Sequence, residues 1–129
     1  MPERPLSPHI SVYRWAYTMT LSILHRATGI ALSLALIALV LWLVAIGLGP
    51  ASYTAWVPWL ASWPAMALYG LAIIALVYHF CNGLRHLAWD LGFGYERRDA
   101  RTSAWVVIVA SIVGALVCLY FLVRHGSAP

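Results

Sequence analysis

Past an opening polar segment, the chain reads as long runs of Leu, Ala, Ile and Val with few interruptions by charge. Formal charges fall at Glu3, Arg4, Arg14, Arg26, Arg85, Asp90, Glu96, Arg97, Arg98, Asp99, Arg101 and Arg124, so residues 27–84 and 102–123 carry none. A hydrocarbon core about 30 Å thick takes about 20 apolar residues per helix. The first charge-free stretch is too long for one crossing and suits two; the second suits one. The pattern predicts an all-α integral membrane protein, a single membrane domain over 1–129 with three transmembrane helices. Helix 1 is expected over about 19–49, with its end marked by Gly47, Gly49 and Pro50, whose backbones are permissive or lack an N–H. Helix 2 is expected over about 64–91, opening on Pro64, and helix 3 over about 103–124. Residues 1–16 read as an arm punctuated by Pro2, Pro5 and Pro8. Residues 51–63 read as a connection whose Tyr53, Trp56, Trp59 and Trp63 suit the headgroup level, and 92–102 as a charged loop.

Composition supports this reading: 63% of residues are hydrophobic and 9% charged, far from the quarter-charged make-up of a soluble domain. All the cations are arginine, 8 against 4 acids, and they sit at the ends of the apolar runs. The net charge of +4 therefore bears on orientation and not on nucleic acid. Arg4, Arg14 and Arg26 precede helix 1 and Arg97, Arg98 and Arg101 follow helix 2, whereas the first loop has none. By the positive-inside rule the N-terminus and second loop are expected in the cytoplasm and the C-terminus outside. The opening residues lack the basic start and short apolar core of a signal peptide, and the arginine-rich amphipathic character of a transit peptide. A retained N-terminus in a bacterial chain, or a mature organellar one, is expected. Cys81 and Cys118 form no metal-ligand spacing and read as buried, inert thiols.

Ionisable groups inside a span are expensive, so each raises a functional question. Helix 2 holds four in HFCNGLRHLAWD: His79, Arg85, His86 and Asp90. At about 100° per residue His79, Gly83, His86 and Asp90 fall within about 60° of one another, a polar stripe in which Gly83 leaves room for a flat ligand. His79 lies near the middle of the span. A neutral imidazole there can ligate haem iron, or it can hydrogen-bond a neighbouring helix. His86 cannot complete the same iron: seven positions along a helix are about 10.5 Å apart, whereas nitrogens on opposite faces of one iron are about 4 Å apart. A six-coordinate haem at His79 needs its second histidine from elsewhere, and His86 and Arg85 are better placed for haem propionates. Helix 1 supplies Ser22, His25 and Arg26 in TLSILHRATG, at the same membrane level as Arg85, His86 and Asp90. That group can hydrogen-bond a quinone carbonyl through Ser22, stabilise developing negative charge through Arg26 and meet a propionate through His25. Equally, Arg26 can mark the membrane boundary while Ser22 bonds its own helix. Asp90 can pair with Arg26 or Arg85 or simply end the helix; His9 and His125 receive no role.

Taken together, RPLSPHISVYRW, SILHRATG and YHFCNGLRHLAWDLG resemble the larger, cytochrome b-type membrane-anchor subunit of succinate dehydrogenase, complex II, of bacteria and mitochondria. The likeness covers nearly the whole chain, with its segments in the family's order and spacing. It implies a helical bundle completed by a second, smaller anchor subunit and one haem b shared between the two, with His79 as this chain's axial ligand. It implies that Ser22 and Arg26 line the ubiquinone site and that His25 and His86 lie near the propionates, Arg85 and Asp90 matching the motif with less definite roles. It further implies an iron–sulfur subunit and a flavoprotein subunit as partners, and residence in a bacterial inner membrane or, if organellar, the mitochondrial one. The chain carries no Rossmann glycine fingerprint and no cysteine cluster, in keeping with an anchor that is not catalytic alone. The alternatives are an anchor of quinol:fumarate reductase, which runs electrons the other way, and, from a different class, a small transporter subunit with a polar path.

Overall fold

The computed structural model describes residues 16–126. Residues 1–15 of the expected arm, with Arg4, Arg14 and His9, lie outside the described residues. Four helices follow in order: α1 (Tyr17–Gly47), α2 (Pro50–Leu60), α3 (Trp63–Asp90) and α4 (Arg97–Gly126). Among the described residues α1, α3 and α4 are long and apolar enough to cross a membrane. These are the three spans that the apolar runs predict.

The helix ends follow local chemistry. After α1 the chain turns at Gly49, whose φ of +104° suits glycine, and Pro50 then opens α2 with a ring preset to helical φ. The α2 segment corrects the expectation of a plain connection: apart from Pro58, which forgoes one i→i−4 amide bond, nothing in PASYTAWVPWL opposes helix. Ser62 caps α3, its Oγ accepting from the Ala65 amide at 3.5 Å. The other end of α3 closes in a Schellman turn, in which the Gly92 amide donates to Trp89 and the Phe93 amide to Ala88, with Gly92 at φ +87°. Helix α4 begins inside the segment read as a charged loop, because Asp99 in the first turn favours a helix N-terminus and no Gly or Pro intervenes.

The central helix is α3, on which α1 and α4 both pack, with little direct contact between α1 and α4. Without water to expel, helices in a bilayer gain from close backbone approach, and small residues permit it. The buried positions are accordingly Ala45, Ala65, Ala104, Ser111 and Ala115 among a few larger ones. Gly114 shows the tightness: a Cβ there would lie 2.9 Å from Val77 Cγ1. Large apolar side chains such as Ile30, Leu34, Leu71, Val106 and Leu116 face outward. Cys118 is also exposed, and Cys81 half-buried, so the expectation of two buried thiols fails for Cys118; α4 buries only the stripe that meets α3.

Candidate functional site

The three histidines that the sequence places on its first two spans, His25, His79 and His86, meet along the α1–α3 seam. Tyr78 and His79 are neighbours on α3 and both reach backbone carbonyls of α1. The Tyr78 hydroxyl donates to the Leu21 carbonyl at 2.6 Å. One helical turn further on, His79 Nδ1 lies 3.1 Å from the His25 carbonyl and 3.2 Å from Thr28 Oγ1. The carbonyl decides the proton position, because it can only accept. Nδ1 therefore carries the hydrogen, and the lone pair of the neutral ring is on Nε2. Thr28 is compatible with this: its hydroxyl donates to the Leu24 carbonyl at 2.8 Å, which leaves the oxygen free to accept from Nδ1–H.

Three imidazoles form a row. The His25 ring stacks on His79 with centroids 3.9 Å apart and planes 12° apart, and His86 follows 5.1 Å from His25. Trp89 closes the row edge-on to His86 at 5.1 Å. Two glycines make room. A Cβ at Gly29 would sit 3.0 Å from His79 Cε1, and one at Gly83 would sit 3.7 Å from His25 Cε1. The seam also holds an unpaired polar atom, since His25 Nδ1 is buried without a hydrogen-bond partner. Among the described residues no group of three or more His, Cys, Asp or Glu side chains can hold a metal ion. The chemistry on offer is one oriented imidazole lone pair beside a polar atom in want of a partner and a backbone kept bare of side chains. These are features that a flat iron macrocycle with polar substituents would use, with a single axial donor from this chain.

Arg85 is not part of that row. Adjacent to His86 in sequence and about 100° around α3 from it, Arg85 turns toward α4 and is buried, 5% exposed. Its Nε donates to Ser103 Oγ at 3.0 Å, Nη2 to the Ala100 carbonyl at 3.1 Å and Nη1 to Asn82 Oδ1 at 3.5 Å. The guanidinium also lies 4.1 Å from the centre of a Trp89 ring. Neutral acceptors and an aromatic face take the place of a carboxylate, which the delocalised guanidinium tolerates better than an ammonium would. Ser22 bonds its own helix, donating to the Thr18 carbonyl at a long 3.4 Å, and Arg26 and Asp90 are exposed, with no ion pair among the described residues.

Sequence reasoning missed Thr28, Gly29, Tyr78, Asn82 and Ser103. Two of these had a signal: Thr28 and Gly29 stand three and four positions after His25, on the face that His25 presents to α3. Asn82 had one too, standing three positions before Arg85 on the same helix, whereas Ser103 had none, since only the packing of α4 brings it to Arg85.

The fold and site define a class: a helical membrane protein with a row of histidines in the seam between two of its spans. The comparisons with known proteins carry this further. The family model described as succinate dehydrogenase/fumarate reductase transmembrane subunit matches residues 1–118. The chain is 38% identical over 112 residues to the succinate dehydrogenase cytochrome b556 subunit of Rickettsia felis, covering 86% of each chain. It is 38% identical over 119 residues to the subunit of the same name from Paracoccus denitrificans, covering 91% of this chain and 90% of the other. The mitochondrial succinate dehydrogenase cytochrome b560 subunit of Homo sapiens is 39% identical over 117 residues, covering 88% of this chain and 69% of the human one. The chain belongs to the family of succinate dehydrogenase/fumarate reductase transmembrane subunits.

Proposed function

We propose that this chain is the larger membrane anchor of a succinate:ubiquinone oxidoreductase and supplies one axial ligand, His79 Nε2, to a haem b shared with a second, smaller anchor subunit. The observation that carries the assignment is the contact of His79 Nδ1 with the His25 carbonyl, which fixes the tautomer with its lone pair on Nε2. The names of the relatives, all cytochrome b subunits, agree with it. Bound there, the haem supplies a one-electron carrier. The chain's own residues orient the ligand, exclude side chains at Gly29 and Gly83, and offer His25 and His86 to the propionates. Arg85 acts at one remove, tying the His86 segment of α3 to α4.

Ser22 and Arg26 form the quinone side of the site, one presenting a hydroxyl to a carbonyl oxygen and the other a permanent positive charge to the reduced ring. The partners are the second anchor, an iron–sulfur subunit and a flavoprotein subunit, so that electrons from succinate oxidation enter the quinone pool. Arg97, Arg98 and Arg101 at the start of α4 orient that end, with the N-terminus, toward the cytoplasm of a bacterial inner membrane, or toward the matrix in a mitochondrion. Running the same anchor in the fumarate-reducing direction is the second reading, and the relatives, named as succinate dehydrogenase subunits, favour the first.

The experiment compares reduced-minus-oxidised spectra of assembled complexes carrying His79→Ala and His125→Ala. The first is expected to lose or alter the b-type signal while the three spans still insert, and the second to keep it. An unaltered spectrum in the His79 variant refutes the assignment.

A further inference from the structure

We infer that Thr28 is a positioning residue for His79: its hydroxyl oxygen holds the imidazole in one orientation and raises the electron-donating power of Nε2. The inference rests on the reading of His79 as an axial ligand. Three observations on α1 lead to it. The Nδ1–H proton is shared between two acceptors at nearly equal distance, the His25 carbonyl at 3.1 Å and Thr28 Oγ1 at 3.2 Å. The Thr28 oxygen is a committed acceptor because its own proton is engaged by the Leu24 carbonyl at 2.8 Å. The third is the spacing of the next residue, Gly29, over which the ring lies so closely that a Cβ would come within 3.0 Å of Cε1.

A single acceptor fixes the tautomer but lets the ring pivot about that bond. Two acceptors, the His25 carbonyl and the Thr28 hydroxyl oxygen 3.0 Å from it on the same turn of α1, define a plane with Nδ1, and the bare Gly29 backbone supports the ring from the side. Positions 28 and 29 thus divide the work, the first supplying an acceptor and the second the space. A hydrogen bond from Nδ1–H to an oxygen makes the distal nitrogen a stronger donor, and a stronger donor stabilises the higher charge of the oxidised metal. Loss of the Thr28 oxygen should therefore raise the midpoint potential of the haem and turn the ring toward the remaining acceptor. Such outer partners of a ligating histidine are typically worth about 10- to 100-fold in affinity for the metal group. Tyr78 provides the internal comparison. Its hydroxyl ties α3 to α1 at Leu21 without touching the imidazole, so Tyr78→Phe loosens the seam and leaves Nδ1 alone.

The test uses the assembled four-subunit complex with Thr28→Val, Thr28→Ser, Tyr78→Phe and His79→Ala. Redox titration gives the midpoint potential, low-temperature electron paramagnetic resonance reports the orientation of the axial rings, and transfer of haem to excess apomyoglobin reports retention. The expected result for Thr28→Val is a higher potential, shifted g-values and haem loss about 10- to 100-fold faster, with Thr28→Ser close to wild type and Tyr78→Phe unchanged in potential. If Thr28→Val matches wild type while His79→Ala loses its signal, Thr28 has no such role and the ligand assignment survives. If Tyr78→Phe shifts the potential as much as Thr28→Val, the effect is general loosening and the inference falls. An unaltered His79→Ala haem overturns the inference together with the reading beneath it. Should Thr28→Val assemble poorly, Thr28→Ala, which also removes the oxygen, is read in the same three assays with the same criteria.

Discussion

Gly29→Ala adds one methyl group at the place where the histidine row is most tightly enclosed. The new Cβ would lie 3.0 Å from His79 Cε1, closer than ordinary van der Waals contact, so the ring or the helix must give by a few tenths of an ångström. The ring cannot retreat freely, because Cε1 is bonded to Nδ1 and Nδ1 is held at 3.1 and 3.2 Å from its two acceptors. Overpacking of this kind costs about 1–3 kcal/mol, and weakening a hydrogen bond adds up to about 1 kcal/mol. Against this stands the gain from replacing a helical glycine by alanine, about 0.5–1 kcal/mol. The net is a loss on the order of 1–2 kcal/mol, or about 5- to 30-fold in an equilibrium that requires the ring in its place. Two other glycines separate the site from general packing. A Cβ at Gly47 meets nothing within 4 Å, and one at Gly114 meets Val77 Cγ1 at 2.9 Å on the α3–α4 side, away from the histidines. Haem per assembled complex and its resonance spectrum are measured for all three alanine variants at limiting haem supply. Gly29→Ala is expected to lose haem and shift the spectrum, Gly114→Ala to lower the yield of complex with a normal spectrum, and Gly47→Ala to do neither. If Gly29→Ala behaves like Gly47→Ala, the close approach of His79 to α1 has no bearing on the site.

The isolated chain is expected to bind no six-coordinate, low-spin haem, since His25 and His79 lie stacked side by side and cannot clasp one iron; a normal bis-histidine spectrum from the purified chain alone would contradict the shared site. Ser22→Ala and Arg26→Leu should depress quinone reduction far more than succinate oxidation by a soluble artificial acceptor, the lost hydroxyl alone costing about 1–3 kcal/mol. Equal loss of both activities on the same membranes would indicate failed assembly instead. Arg85→Leu should leave the buried Asn82 Oδ1 without its partner, while Ser103 keeps its bond to the Ala100 carbonyl, destabilising the subunit by about 1–3 kcal/mol. It is read as a lower midpoint of thermal aggregation in detergent with an unchanged haem potential; a shifted potential at wild-type stability would move Arg85 into the haem environment.

The three spans are legible in the residue pattern because the bilayer imposes them. A run of about 20 uncharged residues has few ways to satisfy its backbone in hydrocarbon other than as a helix. The stripe of His79, Gly83 and His86 is equally legible, since helical periodicity alone puts those positions on one face. Periodicity cannot say which neighbour each face meets. Arg85 and His86 are adjacent in sequence and about 100° apart around α3, and only the placement of α1 and α4 on either side of α3 sends one to Ser103 and the other to the histidine row. The loop reading of 51–63 fails for a related reason: aromatic and proline content marks an interface but does not forbid a short helix on it. The tautomer of His79 lies furthest from the sequence. It depends on a backbone carbonyl of another helix, a group that every residue possesses and that no residue type announces, brought within 3.1 Å by the small side chains along the seam. Residue chemistry thus determined where this chain crosses the membrane and which groups it carries inside. The packing of the helices decided which of those groups meet, and which nitrogen of His79 holds the lone pair.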